Sequence, residues 1–320
     1  MADRLIDCEE DRVLRAVLVG MLREMERRTA DNQTMTEGRL TLRDGRTLAW
    51  REYGPLGGRP LLRFQGTPGS RNSRYPHEDA YDRLDVRVIV ADRPGYGAAG
   101  RLPGRGISVV VDDAAELLDH LGLSAVHVIE QSKRDPHALA FAARHLQRVR
   151  AVSVVVGGVP LEEEDLGGLI QVNREGWYAA REGWDAMFNL LAPRREEFLD
   201  DPLGAFRAVM AAAPASDKAV IEDPAWQRVL IEDVAEALRP GAEGWADEVM
   251  ALVLPWDFQP ADVVCGVTWW HGAHDANVPI AAVRRLVSGM SGVDLRVWSD
   301  AGHLETYHRH DEILAELLAR

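Results

Sequence analysis

From residue 39 onward the chain repeats one pattern: a short apolar run, a loop rich in Gly, Asp, Ser or His, then a stretch with helical spacing. The runs fall at 60–64, 86–91, 125–129, 151–156, 263–270 and 295–298, and helical patterns at 109–121, 137–146, 281–290 and 311–318 separate most of them. Runs that are apolar at nearly every position belong to strands buried on both faces. Consecutive parallel strands need a crossover between them, and a helix is its usual form. The chain is therefore committed to an α/β architecture, a mostly parallel twisted sheet flanked by helices. The segment 39–53 differs: it alternates, and Asp44-Gly45 at its centre signals a hairpin.

The alternation stops between Pro160 and Asp262. That stretch is rich in helix formers and carries Trp177, Tyr178, Trp184, Phe188, Trp226, Trp245 and Trp256. It reads as a helical cap inserted between two sheet strands. The default place for each aromatic is the cap's own core; others line a pocket where cap meets sheet, a common site for small ligands. At residues 8–28, Val13, Leu14, Val17, Leu18, Met21, Leu22 and Met25 form a helical stripe. The plain reading is a helix packed on the body; the sharper one is a lid or a dimerisation helix, which would make the protein a homo-oligomer. The expected division is an N-terminal helical extension at 1–36, a core at 37–157, the cap at 158–260 and the rest of the core at 261–320.

The formal net charge of −14 argues against nucleic acid and anionic membranes as partners. Cys8 and Cys265 lie far apart with no CxxC or Cys/His cluster, which speaks against a disulfide framework or a zinc site and suits a reducing cytoplasm. The first residues are too acidic for a signal peptide, and no apolar run approaches membrane-spanning length. No metal-ligand cluster or dinucleotide loop is recognisable, so neither a metal nor an organic cofactor is expected.

Ligands of open parallel sheets bind beyond the carboxyl ends of the strands. The loops there read Gln65-Gly66-Thr67-Pro68-Gly69-Ser70-Arg71, Asp92-Arg93-Pro94-Gly95-Tyr96-Gly97, Glu130-Gln131-Ser132-Lys133-Arg134-Asp135-Pro136-His137, His271-Gly272-Ala273-His274-Asp275-Ala276-Asn277-Val278-Pro279 and Ala301-Gly302-His303. In these loops the chain resembles the α/β-hydrolase superfamily, over about residues 38–318. The first is similar to the family's His-Gly-x-Pro-Gly loop, the second to its Asp-Arg-Pro-Gly-Tyr-Gly stretch, the fourth to its acid loop and the last to its base loop. The order Ser, Asp, His is also the family's own.

The resemblance implies about eight strands and gives the residues roles. Ser132 is the nucleophile, exposed on a strained turn and activated by a neighbouring base. His303 is that base. Asp275 holds the imidazole tautomer and stabilises the imidazolium. The backbone N–H groups of Thr67 and Lys133 are the oxyanion donors, with Gly66 allowing close approach of the backbone. Taken singly, each has a plainer reading: a serine after a strand is usually a helix cap, Asp275 a turn residue, His303 a structural loop histidine. Their joint occurrence in these contexts points to a shared site. Arg93 and Tyr96 read as loop-ordering residues; His137 faces either pocket or core; His271 and His274 carry no assigned role.

The elbow departs from Gly-x-Ser-x-Gly. Glu130 and Arg134 replace the glycines, Lys133 and Asp135 add two charges, and Gln65 stands where relatives have His. Strand and helix backbones pass close at this turn, so long side chains there force a shift. Buried charges need partners, and Glu130–Arg134 and Lys133–Asp135 are the available pairs. Asp135-Pro136 reads as a helix N-cap and first turn, placing the helix start late. Three functions follow: a serine hydrolase of an ester, lactone or related acyl compound; a non-hydrolytic lyase, cyclase or isomerase using the same pocket, with Lys133 or Arg134 stabilising an anion; or an inactive binding protein. In each case the partner is a small, apolar molecule, with Gln65, Gln131, Glu130 and Arg134 beside the pocket.

Overall fold

A computed structural model describes residues 36–131 and 136–320. The helix expected at 8–28 lies outside the described residues. Eight strands form one sheet: β1 (Thr36–Thr41), β2 (Thr47–Tyr53), β3 (Arg59–Gln65), β4 (Val86–Ala91), β5 (Val126–Gln131), β6 (Val149–Val155), β7 (Val267–Gly272) and β8 (Val293–Trp298). Their order is β1-β2-β4-β3-β5-β6-β7-β8. β2 runs antiparallel to β4, and the pairs from β4 to β8 are parallel. The hairpin closes where expected: Leu42 N–H donates to Arg46 O at 2.8 Å across Asp44-Gly45.

Both faces of the sheet are covered, as the apolar runs demand. Leu62, Phe64, Val126, Val128 and Trp269 pack against α2 (Ile107–His120), α3 (His137–Arg144) and α10 (Ile280–Ser288). Leu61, Val88, Ile129 and Trp270 pack against α1 (Asp79–Arg83) and α11 (His310–Leu318). Between β6 and β7 the chain forms α4 (Gln171–Glu182), α5 (Trp184–Asp200), α6 (Pro202–Val209), α7 (Ala215–Glu222), α8 (Pro224–Leu238) and α9 (Glu243–Val253). Met187, Phe198, Trp226 and Trp245 of these helices share a buried cluster with Tyr96, Leu304 and Tyr307 from the sheet's loops.

One strand is shorter than its sequence suggested. The run at 263–270 begins its strand only at Val267, after a 3-10 turn at Pro260–Asp262. Val263 is apolar because it is buried in the core on its way into the strand, and apolarity alone does not separate the two cases. At their carboxyl ends, β3, β5 and β7 run one or two residues past the last apolar position, into Gln65, Gln131 and Gly272. Ladder hydrogen bonding extends strands regardless of side-chain polarity. Among the described residues no helix is long and apolar enough to cross a membrane.

A buried ion cluster ties α9 to the loops after β4. Glu248 is fully buried, with Arg93 Nε at 2.7 Å and Arg105 at 3.0 Å. Burial pushes its carboxyl up, but the two guanidiniums outweigh that and hold it well below the usual carboxylate range. Glu248→Gln leaves two buried cations without a counter-charge and is expected to cost about 3–5 kcal/mol at neutral pH, measured by urea denaturation. Because the folded value is depressed, this contribution is present above about pH 4.5 and fades as pH falls further.

His137 is fully buried and stacks on Phe64 at 5.7 Å, so it faces the core. Burial first, then Arg93, holds its ring well below the ordinary histidine value. The unfolded chain therefore binds the extra proton, and stability falls as pH drops below about 6.5. His137→Leu is expected to flatten the slope of stability against pH between about 6.5 and 5 by up to ~1.4 kcal/mol per unit. An unchanged slope in denaturant midpoints would show that His137 takes up its proton in the folded protein.

Candidate active site

The acid and base loops meet through two glycines. A Cβ on Gly272, the last residue of β7, would lie 2.2 Å from Gly302 O, so only the absence of a side chain lets the loops close on each other. Across that contact His303 Nδ1 donates to Asp275 Oδ2 at 2.7 Å, with both residues buried. The other carboxylate oxygen of Asp275 accepts from the backbone N–H of Asn277 at 2.7 Å and of Val278 at 2.9 Å. Burial pushes the Asp275 carboxyl up, but the His303 ring, His271 and the Val278 amide outweigh it and hold Asp275 below its ordinary value. Asp275 is thus a fixed anion that selects the Nδ1–H tautomer of His303. His271 is committed elsewhere: its Nε2–H donates to Val278 O at 2.9 Å, and burial holds its ring below the ordinary value. It braces the acid loop from beneath.

The insertion contributes a group that the sequence did not single out. Asp217 of α7 accepts from the backbone N–H of His303 at 2.9 Å and of Leu304 at 2.8 Å. A Cβ on Gly302 would sit 2.5 Å from that carboxylate, which is the second reason for glycine there. Asp217 lies 86 residues from His303 inside a helix of unremarkable pattern, so no local signal marks it.

The glycine loop after β3 is held from behind. Arg93 donates to Gln65 O and, at 3.1 Å, to Gly66 O. Gln65 turns into the sheet, its amide donating to Ala91 O at 2.8 Å. Thr67 Oγ1 lies 2.8 Å from the Tyr96 hydroxyl. Arg93 and Tyr96 therefore order this loop, as their positions suggested.

Ser132, Lys133, Arg134 and Asp135 lie outside the described residues; both flanks of the elbow are described. Glu130 is fully buried, and its Oε2 accepts the Ala138 N–H at 2.6 Å. Its Oε1 sits 3.0 Å from where a Cβ on Gly157 would be, so a glycine two residues past β6 opens the room that the larger elbow residue needs. The carboxylate thereby caps the first turn of α3, where helix N–H groups lack intrahelical partners and a negative charge is favoured. α3 begins at His137 with Pro136 as its N-cap, one residue later than the Asp135-Pro136 reading placed it. Gln131 also turns into the sheet, its Oε1 accepting from Arg63 at 2.9 Å.

A cavity of about 80 Å³ separates the inserted helices from the strand ends. Of the residues expected around the pocket, Thr67 lines it, as does Asn277 from the acid loop. The remaining wall is mostly apolar, with Leu191, Phe198, Trp245 and Val249 prominent. Two polar groups from the insertion face it, Asn173, which donates to Asn277 Oδ1 at 3.1 Å, and Arg194, paired with Glu175 at 2.6 Å. Trp245 is thus a pocket aromatic, whereas Trp226 packs at 4.7 Å on Tyr307 and Trp184 stacks on Phe188. Among the described residues no group of three or more His, Cys, Asp or Glu side chains is placed to hold a metal ion.

No family model matches the chain. It is 28% identical over 283 residues to a dihydrolipoyllysine-residue acetyltransferase component of an acetoin cleaving system from Pseudomonas putida, a match spanning 86% of this chain and 66% of that protein, under two thirds of the relative's length. An alpha/beta hydrolase fold protein from Chitinophaga pinensis superposes with a TM-score of 0.63 at 16% identity, covering 90% of this chain and 98% of that one. An enol-lactonase from Burkholderia xenovorans gives 0.59 at 19% identity, covering 88% and 100%.

Asp217→Ala is expected to cost about 3 kcal/mol, since it strands two buried backbone donors of the base loop. Asp217→Asn, which keeps one acceptor oxygen, is expected to cost less. Hydrogen exchange checks the location: the His303 and Leu304 amides should lose protection before the sheet does.

Proposed function

We propose that this chain, whose fold is that of the α/β hydrolases, is a hydrolase of esters or lactones with Ser132 as nucleophile, His303 as base and Asp275 as its orienting anion. The observation that carries the reading is the buried 2.7 Å hydrogen bond between His303 Nδ1 and Asp275 Oδ2, on an acid loop whose Asn277 lines the cavity under the inserted helices. A binding protein has no chemical need for a tautomer-selecting carboxylate behind a buried imidazole. The solved enol-lactonase with the same fold is consistent with acyl chemistry on a ring or chain ester.

In this mechanism His303 Nε2 takes the Ser132 proton as Oγ attacks the substrate carbonyl. The negative charge moves to the carbonyl oxygen, held by the N–H groups of Thr67 and Lys133. Collapse of that intermediate breaks the acyl–oxygen bond, and His303 returns the proton to the leaving alkoxide. Water then attacks the acyl-Ser132, giving its proton to His303; the bond from the acyl carbon to Ser132 Oγ breaks, His303 returns the proton to Oγ, and the acid leaves. The apolar cavity wall suits a bulky apolar acyl or alcohol group, with Asn173 and Asn277 available to a polar edge.

The charged elbow favours a second reading, a non-hydrolytic enzyme of the same pocket. Glu130 caps α3 where glycine would normally lie, and α3 starts one residue later than Asp135-Pro136 suggests, so this reading takes the Lys133 N–H to be lost as an oxyanion donor. One lost oxyanion donor lowers turnover about 100- to 1,000-fold. Wild type is therefore expected to turn over a short-chain aryl ester slowly. If it is a hydrolase, Ser132→Ala and His303→Ala should each lower kcat by about four to six orders of magnitude, or to background. Replacing Glu130 and residues 133–135 together by glycine is expected to raise Ser132-dependent turnover. Ester turnover that survives Ser132→Ala would remove the nucleophile assignment.

A further inference from the structure

Asn277 carries an idle donor in the wall of the cavity under the inserted helices. The residue is 3% exposed, and its Nδ2 is buried with no acceptor among the described residues. Its place is fixed twice. Its backbone N–H donates to Asp275 Oδ1 at 2.7 Å, so the carboxylate that orients His303 also positions Asn277. Its side-chain oxygen accepts from Asn173 Nδ2 of α4 at 3.1 Å, which fixes the amide and leaves the nitrogen over. Beside it the Ile170 N–H donates to Ala276 O at 2.9 Å, so the start of the insertion is latched to the acid loop here. A buried amide donor without an acceptor is costly, and a ligand oxygen in the cavity removes that cost.

The rest of the wall defines what that ligand is. The side chains of Thr67, Asn173 and Arg194 each have a protein partner: the Tyr96 hydroxyl at 2.8 Å, the Asn277 oxygen, and both Glu175 at 2.6 Å and Leu190 O at 2.5 Å. Glu175 cancels the charge of Arg194, and the neighbouring Asp275 is an anion, so the wall offers no free positive charge to a carboxylate. What remains is one neutral N–H in a surround of Leu191, Phe198, Trp245 and Val249. A lone polar group in an apolar pocket fixes the orientation of an uncharged ligand through a carbonyl or ether oxygen, and it disfavours an analogue that leaves it unpaired.

We infer that Asn277 is a specificity residue whose Nδ2 donates to a second, non-reacting oxygen of the substrate. The inference rests on the hydrolase reading above and names its substrate class: uncharged esters or lactones that carry a further keto or ether oxygen on their apolar part. Asn173 is a positioning residue, since it holds the Asn277 amide in the orientation that presents the donor.

The test uses full-length Ser132→Ala protein, labelled with 15N, and the methyl esters of hexanoate, 4-oxohexanoate and 5-oxohexanoate. Binding is followed by NMR titration, in which the side-chain amide of Asn277 is observed directly. At least one oxo ester is expected to move the Asn277 Nδ2–H signals downfield, and methyl hexanoate is not. Asn277→Leu is expected to weaken binding of that oxo ester, relative to methyl hexanoate, by about fivefold. Monomethyl glutarate, which carries a carboxylate at similar reach, is expected to bind more weakly than the oxo ester. An Asn277 amide that neither oxo ester shifts, whether or not the esters bind, would overturn the proposal, and so would tighter binding of the carboxylate. The titration decides the question even if Asn277→Leu does not fold. Because turnover is not measured, this result stands apart from the hydrolase reading: a negative titration leaves Ser132-dependent turnover untouched, and a lack of turnover leaves the titration valid.

Discussion

The backbone contact between Gly272 and Gly302 is the constraint on which the site depends. β7 and the base loop approach so closely that a methyl group on Gly272 would separate them, while one on Gly302 would collide with the Asp217 carboxylate that holds the base loop. Only at that separation does His303 reach Asp275 across 28 residues of chain. The remaining contacts hold the two loops in place: two backbone amides on Asp275, two base-loop amides on Asp217, and His271 braced against Val278. A dyad positioned by backbone donors and buried carboxylates has little freedom to relax, which is what preorganised acid–base chemistry requires.

The inserted helices are part of this arrangement. Asp217 reaches from α7 to the base loop, and Glu248 reaches from α9 to Arg93, which in turn holds the carbonyls of Gln65 and Gly66. The insertion therefore grips the base loop and the glycine loop with separate buried carboxylates, one acting on backbone N–H groups and the other through a guanidinium. Movement of these helices would disturb both loops, so substrate access and assembly of the site are mechanically linked.

Much of this was legible in the sequence because it rests on local rules. Apolar runs gave the strands of a two-faced sheet, Asp44-Gly45 the opening turn, and Gly272 and Gly302 flanked the acid and base as close approaches require. What stayed hidden depends on partners far apart in the chain. Asp217 and Glu248 carry no periodicity or motif, and their meaning comes only from what the fold sets beside them. Glu130 is the instructive case. At the elbow it read as a steric fault, yet room left by Gly157 and a free amide at Ala138 turn the extra side chain into a helix cap.

The central claim is that Ser132 is a nucleophile activated by His303 and Asp275. A fluorophosphonate reports on this without requiring the natural substrate, because it needs only an activated serine and an access path. Mass spectrometry of the intact protein after incubation should show one phosphonyl adduct per chain, mapped to the peptide containing Ser132 and lost in Ser132→Ala and in His303→Ala. A folded wild-type protein that remains unmodified under conditions that saturate other serine hydrolases, or that is modified equally in Ser132→Ala, would contradict the account.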